Sequence, residues 1–557
     1  MKYLLIIIAL FLISFGGYSQ NHDFAKLDQY LAVLDDHDRF HGSVAVTKGG
    51  EAIYSRALGL ADMESARRNN PNTKFRIGSI SKTFTATLIM QAVEKGKLGL
   101  DQTIDKWFPR IQNAKKITVR HLLNHKSGIT SFTDRNYFTW HTQPQTKEAL
   151  LDTIVNKGID FEPDTDFAYS NSNYVLLSFI LEDVYGKSFD RVLEKQIVKP
   201  LKLKYTHYGS TINTANNEAL SYRKKDDWKA VAQDDMSIPQ GAGAIVSTPG
   251  ELCVFINALF NGELISEESL AQMKPVGDDW YGFAIYGTEF DGDVNGLGHG
   301  GNIDAFASEL VYFEEQDISI AVTSNGAEFG LHDVVVAVMK EVFGQPYKIP
   351  SFDFVTLSSE ELDQYLGTYE TADLPMDMTI SKSADTLMLQ VPGQSPGALS
   401  ADGNHQFSIV KYGVKVTFEP ENGKMHFEQQ GMKFELTLKT EEGDETIESV
   451  ATANNIDLDQ YVGTYASEAL PMDLKITSEE DKLMLQTPGQ PADALSADGN
   501  HQFSIAQYGV KITFEPENDK MYFEQGGKRF EFTVKATAEA EADSKTTEKV
   551  ATTNKTD

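Results

Sequence analysis

Apolar residues recur at helical spacing early in the chain. Phe84, Leu88 and Ala92 lie four residues apart, so they fall on one side of a helix. The spacing predicts a helix over Ser79–Lys95 with one buried face. Similar patterns predict four further helices, over Thr118–Asn124, Lys147–Val155, Asn171–Tyr185 and Thr248–Phe260.

Strand patterns lie on both sides of these helices. The stretch "HGSVAVTKGGEAIYSRALG" from His41 is typical of a hairpin. Three strand-like stretches follow the last helix, namely "WYGFAIYG" from Trp280, "AFASELVYF" from Ala305 and "ISIAVTS" from Ile318. Strands at both ends predict an α+β domain over residues 20–351. In such a domain, an antiparallel sheet flanked by helices brings the two ends of the chain together.

The remainder of the chain contains a tandem repeat. "LDQYLGTYETADLPMDMTI" returns 96 positions later as "LDQYVGTYASEALPMDLKI", and later phrases return at the same offset, which defines two copies at 362–439 and 458–535. Alternating polar and apolar residues, with Asn-Gly, Asp-Gly or Asn-Asp turns, predict a small all-β, barrel-like domain in each copy. The acidic stretches 440–457 and 536–557 contain few aromatic residues, which predicts a flexible linker and a disordered tail.

The first residues have the pattern of a secretory signal peptide. Lys2 carries a positive charge, Tyr3–Ile13 is apolar, and small residues precede Gln20. We expect residues 1–19 to be removed and the remainder to be periplasmic or secreted. No later stretch is apolar enough to predict a membrane span.

Composition narrows the classes of partner. The formal charge of −31 argues against a nucleic acid or an anionic membrane as partner, because both attract basic proteins. Cys253 is the only cysteine, so no internal disulfide is expected. Its setting in "PGELCVFINALF" predicts a small buried apolar residue rather than a reactive thiol.

Two local motifs suggest chemistry that their surroundings do not favour. His121 and His125 are spaced for one helical face, but the metalloprotease motif needs Glu where Leu122 stands, so we expect them to pack beneath the site. "GQSPG" around Ser395 matches a nucleophile elbow. That elbow needs the N–H of the next residue, which Pro396 lacks. No metal or other cofactor is predicted.

A serine and a lysine at the start of the first predicted helix are the strongest candidates for chemistry. Ser79 and Lys82 are three residues apart and face the same way. Alone, this pattern also fits an N-cap serine followed by an exposed lysine. Two further elements accompany it. "FAYSNSNY" places Tyr169 and Asn171 at another helix start, and "GLGHGGN" leads from His299 into a strand.

In this order and at these separations, the three elements resemble the serine β-lactamase and penicillin-binding-protein superfamily. The sequence is most similar to class C β-lactamases, D-alanyl-D-alanine carboxypeptidases, D-aminopeptidases and related esterases. The phrases "DQTIDKWFP", "ITVRHLLNHKSGI" and "GAGAIVSTPGEL" also look like the family. The resemblance covers about Phe24 to Phe343 and implies a β-lactamase/transpeptidase-like fold.

The resemblance implies a role for each motif, and the chemistry explains it. A serine hydroxyl needs a nearby base, and a buried lysine can serve when it is neutral. Ser79 is thus the expected nucleophile and Lys82 its base. Tyr169 is the expected second proton carrier, and a neighbouring cation would favour its phenolate.

The remaining motif residues are expected to bind the substrate. Asn171 can hydrogen-bond the lysine and a substrate amide. The resemblance implies an oxyanion hole formed by the backbone N–H groups of Ser79 and Asn302. Gly300 and Gly301 would let the substrate lie along the strand.

Two positions depart from the family pattern. His299 stands where many relatives have lysine in Lys-Thr-Gly, so the positive charge for a substrate carboxylate is weaker. This change favours esters and D-amino-acid peptides over penicillins, and binding of carboxylates should weaken as pH rises through about 6.5. Asp164 replaces the usual glycine after Pro163, in the loop that leads to Tyr169.

Together these features predict an exported serine hydrolase that forms an acyl-enzyme on Ser79. Its expected substrates are small molecules or peptides, namely D-amino-acid-containing peptides, small amides or esters, with β-lactams also open. The alternative is a non-catalytic binding or adhesion protein with the same fold. The oligomeric state is left open by the sequence. The first repeat, which should dock on a neighbour because it is small, is expected to border the active site.

Overall fold

The structure of the protein is a computed structural model. It describes residues 23–225, 227–277, 279–291, 294–352, 354–371, 377–391, 396–429, 432–439, 458–467, 473–479, 482–486, 493–499, 501–505, 510–518, 520–525 and 528–535. The predicted signal peptide, linker and tail lie outside these residues, and so does Ser395. The chain divides into two compact units, one of the residues up to Phe352 together with Val410–Tyr412, and one of the other residues after Phe352.

A six-stranded antiparallel sheet runs through the first unit. In spatial order its strands are Tyr286–Asp291, Val294–Ile303, Phe306–Phe313, Ile318–Ala327, Phe40–Lys48 and Glu51–Leu58. The first strand in the sequence pairs with the last one, from Phe40 opposite Ala327 to Lys48 opposite Ile318. The sheet therefore joins the two ends of the unit, which confirms the predicted α+β class.

Helices cover the sheet on both faces. The α-helices of the unit are Ala25–Asp36, Ser81–Glu94, Val119–Leu123, Lys147–Lys157, Asn171–Tyr185, Phe189–Leu193, Gln240–Gly243, Pro249–Phe260, Glu267–Met273 and Leu331–Val342. Successive strand residues point to opposite faces, and every residue from Phe40 to Thr47 is buried, so neither face of this strand is open to solvent. All five predicted helices are present with bounds close to those expected.

Short strands complete the unit. They are Leu60–Asp62, Arg67–Arg68, Phe75–Arg76, His207–Tyr208, Tyr222–Lys224, Trp228–Ala230 and Ile245–Ser247. They form two sheets of two strands and one sheet of three strands. No helix among the described residues is long and apolar enough to cross a membrane.

Two local predictions differ from the structure. The stretch from Trp280 was expected to be a strand throughout, but the strand begins only at Tyr286. The helix Ser81–Glu94 was expected to bury one face, yet every residue from Ser81 to Ala92 is buried. The helix lies inside the unit, where it contacts Asn171–Tyr185 as well as other elements, so its polar residues have buried partners.

The first repeat forms a closed eight-stranded barrel in the second unit. After a short helix, Ser359–Asp363, its strands are Gly367–Glu370, Met378–Ser383, Thr386–Gln390, Gly397–Gly403, Gln406–Ile409, Val414–Glu419, Lys424–Gln429 and Met432–Leu438. Its core contains the buried side chains of Phe407, Val416 and Leu436. The predicted barrel-like fold is confirmed.

The second repeat has the same strand order in a sheet of nine strands. These are Gly463–Ala466, Asp473–Glu479, Lys482–Gln486, Asp493–Ala494, Ser496–Gly499, Gln502–Ile505, Val510–Glu515, Lys520–Gln525 and Lys528–Val534. At the 96-residue offset, the pair 493–494 and 496–499 corresponds to the single strand 397–403 of the first repeat. The break in this strand leaves the sheet open as a curled half-barrel.

Candidate active site

Ser79 lies in the turn Gly78–Ile80, which leads directly into the helix Ser81–Glu94. Gly78 has a φ of +49°, and a Cβ there would lie 2.7 Å from the backbone nitrogen of Asn302. A side chain would clash at this distance, and the positive φ favours glycine. The turn therefore holds Ser79 at a helix N-terminus, beside the backbone of Asn302.

Lys82 is fully buried one helical turn from Ser79. Its Nζ lies 2.9 Å from Ser79 Oγ, 2.8 Å from Asn171 Oδ1 and 2.8 Å from the carbonyl oxygen of Ala242. None of these three partners is a carboxylate, and no ion pair compensates the ammonium form among the described residues. Burial lowers the pKa of the Lys82 amine well below its usual value of 10.5. The neutral amine is thereby favoured, and it can accept the Ser79 proton.

Tyr169 lies on the other side of the serine. Its ring centroid is 4.9 Å from Lys82 Nζ, and it lines the same cavity as Ser79. The residue is 38% exposed, yet protein surrounds its hydroxyl closely enough that burial raises the Tyr169 pKa. Burial therefore opposes the phenolate expected from the sequence, and the neighbouring amine is itself driven towards its neutral form. Tyr169 is poised to donate a proton.

Asn171 is positioned by the start of the helix Asn171–Tyr185. Its Oδ1 accepts the hydrogen bond from Lys82, and its Nδ2 donates to Thr133 Oγ1 at 2.9 Å. Its backbone N–H donates to Ser131 Oγ at 3.2 Å. These contacts fix the amide orientation, so its oxygen faces the lysine.

His299 is buried, and both of its ring nitrogens have hydrogen-bond partners. Its Nδ1 lies 2.5 Å from the carbonyl oxygen of Gly300, and its Nε2 lies 2.9 Å from the hydroxyl of Tyr281. A single tautomer satisfies both contacts, with Nδ1–H donating and Nε2 accepting. Burial and the nearby Lys82 lower the His299 pKa to about 3. This shift opposes the charge expected on His299 near neutral pH, and the pH dependence of carboxylate binding at about 6.5 stays a prediction.

The strand that carries His299 passes directly over the serine turn. A Cβ on Gly301 would lie 2.0 Å from the carbonyl oxygen of Ile77 and 3.0 Å from the backbone nitrogen of Ser79. Glycine at this position lets the two backbones touch. The contact brings the backbone of Asn302 next to that of Ser79, as an oxyanion hole formed by their N–H groups requires.

Two cavities meet at Ser79 and Asn302, which line both. The first has a volume of about 370 Å³, and its walls include Tyr169, Tyr286, His299, Gly300 and Glu309. The second has a volume of about 390 Å³, and its walls include Thr133, Phe138, His141, Asn171 and Asp234. A substrate that spans both cavities would place its reacting bond over the serine.

The aromatic loop "NYFTW" contributes to the site in part. Phe138 is 69% exposed and lines the second cavity. Trp140 packs against Phe132 instead, with ring centroids 6.2 Å apart.

His121 and His125, four residues apart in the chain, lie in different surroundings. His125 is buried beneath Tyr169, with ring centroids 4.4 Å apart, and its Nδ1 accepts a hydrogen bond from the backbone of Ser170. His121 was expected to pack there too, but it caps its own helix by accepting from the N–H of Thr118. Among the described residues, no group of three metal-ligating side chains could hold a metal ion.

Several contributors carried no signal in the sequence. The carbonyl of Ala242 and the hydroxyl of Tyr281 are ordinary groups. They belong to the site only because they hydrogen-bond Lys82 and His299. Glu309 and Asp234 face the two cavities, but nothing nearby in the sequence marks them. Cys253 is buried as predicted, and burial raises its thiol pKa, so it is not a competing nucleophile.

This arrangement can carry out acyl transfer. Lys82 can take the proton of Ser79, the hydroxyl oxygen can attack a carbonyl carbon, and the backbone N–H groups of Ser79 and Asn302 can stabilise the oxyanion. The helix N-terminus behind Ser79 adds a partial positive charge. Tyr169 can then return a proton to the leaving group.

Comparison with known proteins agrees with this geometry. A family profile described as Beta-lactamase matches residues 26–337, more than half of the chain. Penicillin-binding protein 4* of Bacillus subtilis (strain 168) is 25% identical over 422 residues, which cover 70% of this chain and 93% of that protein. Teichoic acid D-alanine hydrolase of Staphylococcus aureus (strain MRSA252) is 27% identical over 249 residues, 44% of this chain and 60% of that protein.

Among solved structures, D-amino acid amidase from Ochrobactrum anthropi SV3, complexed with D-phenylalanine, is similar to this chain with a TM-score of 0.51 and 26% identity. The alignment covers 57% of this chain and 99% of that one. The matched family profile, the shared fold and the buried Ser79–Lys82 pair agree. The chain belongs to the beta-lactamase family of serine hydrolases.

Proposed function

We propose that this protein hydrolyses small amides or esters of D-amino acids through an acyl-enzyme on Ser79. The observation that carries the proposal is the hydrogen bond between the buried, uncompensated amine of Lys82 and the Ser79 hydroxyl. A protein that only binds ligands gains nothing from a desolvated lysine beside a serine, whereas a nucleophile requires it.

The reaction follows from the contacts. Lys82 accepts the proton of Ser79 Oγ as the oxygen bonds to the substrate carbonyl carbon, and the N–H groups of Ser79 and Asn302 hold the oxyanion. The intermediate collapses, the C–N or C–O bond breaks, and Tyr169 supplies the proton to the departing amine or alcohol. Lys82 restores the proton of Tyr169. Water then cleaves the acyl-enzyme by the reverse sequence of proton transfers.

The substrate class is supported by two features. The relatives include proteins named D-amino acid amidase and teichoic acid D-alanine hydrolase. The second cavity, beside Asn171, has the carboxylate of Asp234 in its wall, hydrogen-bonded by the hydroxyl of Tyr137 and by His141 Nδ1 at 2.5 Å. A carboxylate there suits the α-ammonium group of an aminoacyl substrate.

We also propose that the protein acts outside the cytoplasm, in the periplasm or after secretion. The proposal rests on the signal-peptide pattern of residues 1–19. N-terminal sequencing of the protein recovered from its own cells would test it, and a chain that still begins at Met1 would contradict it.

The test of the activity uses the chain from Gln20 and the variant Ser79→Ala. A fluorophosphonate should label Ser79, as located by peptide mass spectrometry, and the variant should lose both label and turnover. On D-alanine amide, L-alanine amide and a D-alanine ester, we expect turnover of the two D-substrates only. A protein without label or turnover would instead be a binding protein, and label on another serine would refute the role of Ser79.

A further inference from the structure

The two cavities have different places in the reaction. Tyr169, which supplies the proton to the leaving group, lines the first cavity, whereas Asn171 lines the second. A proton donor must be within hydrogen-bond distance of the leaving atom. The first cavity is therefore the leaving-group side, and this assignment rests on the proposed function.

One carboxylate faces this leaving-group side. Glu309 lies directly opposite Gly300 in the pairing of the strands Val294–Ile303 and Phe306–Phe313. A Cβ on Gly300 would lie 2.7 Å from Glu309 Oε2 and 3.0 Å from the hydroxyl of Tyr286. The missing side chain of Gly300 thus leaves space that the carboxylate occupies, next to the path of a substrate along the strand.

The charge of Glu309 is not matched by a cation within the described part of the chain. Oε1 accepts a hydrogen bond from the hydroxyl of Tyr286 at 2.9 Å. Among the residues that the structure describes, Oε2 has no hydrogen-bond partner and no cation forms an ion pair with the group. A partly buried carboxylate with one open oxygen in a substrate cavity is a site for a cation.

We propose that Glu309 sets the charge preference for the leaving group. It favours amides and esters whose leaving group carries an ammonium or another cation, and it disfavours leaving groups with a free carboxylate. The protein would then discriminate against the carboxypeptidase reaction, in which the departing amino acid bears a carboxylate.

The preference should depend on pH in a defined direction. Burial raises the Glu309 pKa to about 7, and the hydrogen bond from Tyr286 opposes this shift. The preference should be present above about pH 7 and lost as pH falls through it. His299 has a pKa of about 3, and burial raises the pKa values of Tyr169 and Tyr286, so these groups stay neutral across this window. The titration of Lys82 affects all substrates alike and cancels in a ratio.

The experiment compares three D-alanine esters with one acyl group. The alcohols are choline, its neutral isostere 3,3-dimethylbutanol, and glycolate, and each kcat/KM is divided by that of the neutral ester. At pH 8, after subtraction of spontaneous hydrolysis, we expect Glu309→Gln to lower the choline ratio and raise the glycolate ratio, each by about tenfold. Glu315→Gln removes an equal charge from an exposed position on the same hairpin and should change neither ratio.

A second measurement does not depend on the folding of this variant. In the unmodified protein, the choline ratio should fall and the glycolate ratio rise as pH is lowered from 8 to 6. Tyr286→Phe should move the midpoint to higher pH, because it removes a hydrogen bond that favours the ionised form. Turnover of the neutral ester with ratios insensitive to Glu309→Gln and to pH would overturn this inference alone. No turnover of any ester would overturn the proposed function as well.

Discussion

Replacing Lys82 with alanine removes the amine that lies 2.9 Å from Ser79 Oγ. No other amine hydrogen-bonds this hydroxyl among the described residues, and the distance permits direct proton transfer. A general base in this position contributes about 10²–10⁴-fold, or about 2.7–5.4 kcal/mol at about 1.36 kcal/mol per tenfold. We therefore expect acylation of Lys82→Ala to be at least about 10²-fold slower than that of the unmodified protein.

A double-mutant cycle tests whether the base acts with Tyr169. Lys82 hydrogen-bonds the hydroxyl of Ser79, and Tyr169 lines the same cavity as this hydroxyl. Tyr169→Phe should also slow acylation by about 10²-fold, but the double variant should be less than about tenfold slower than the slower single variant. Groups that act as one relay do not contribute independently.

The pH profile gives a separate readout. Acylation needs neutral Lys82, so its rate should rise with pH as the amine loses its proton. Because burial lowers the Lys82 pKa, the rise should level off well below pH 10.5. This rise should be absent from the residual rate of Lys82→Ala.

The assay is the second-order rate of fluorophosphonate labelling, read by in-gel fluorescence, together with kcat/KM for D-alanine amide. Circular dichroism and melting must accompany it, since the variant leaves the Asn171 and Ala242 oxygens without a donor, at about 1–3 kcal/mol each. A folded Lys82→Ala protein with near-normal acylation would refute the base assignment. A pH rise that persists in this variant would assign the titration to another group.

Two further predictions concern the fold. Asp164 has a φ of +67°, a conformation that glycine adopts without strain and valine does not. In urea denaturation, Asp164→Gly should therefore raise the free energy of unfolding by up to about 1 kcal/mol, and Asp164→Val should lower it. Equal stability of the three proteins would show that the backbone is not strained there. Removing all residues after Phe352 should leave a folded hydrolase, since its core lies within the first unit. If the first repeat borders the site, kcat/KM of this shortened protein should rise for large peptide substrates relative to D-alanine amide. An unchanged ratio at an unchanged melting temperature would make the repeats spacers.

Local periodicity accounts for most of what could be predicted. The helix around Ser79, the hairpin after Phe40 and the repeated strands each depend on spacings of two to four residues, which are visible in the chain. The stretch from Trp280 is an instructive failure. Its aromatic and apolar residues suit a strand, but Tyr281 is used to hydrogen-bond His299, and regular pairing starts only at Tyr286.

In the candidate site, too, some features follow from the local sequence and others only from the tertiary structure. The sequence alone determined that Ser79 and Lys82 face one another, because residues three apart on a helix must do so, and it determined which residue types accompany them. Protonation was decided by tertiary structure. Residues far away in the chain bury Lys82 and His299, which lowers the pKa of both groups, and no local pattern encodes that burial.

The charges in the cavities were also decided only by the tertiary structure. Glu309 is one polar residue in a strand that alternates polar and apolar residues, and this pattern alone predicts an exposed side chain. It becomes a feature of the site because the antiparallel register sets it opposite Gly300. Register is a property of two strands together. The sequence of one strand therefore cannot reveal which of its side chains lies opposite a glycine on the paired strand.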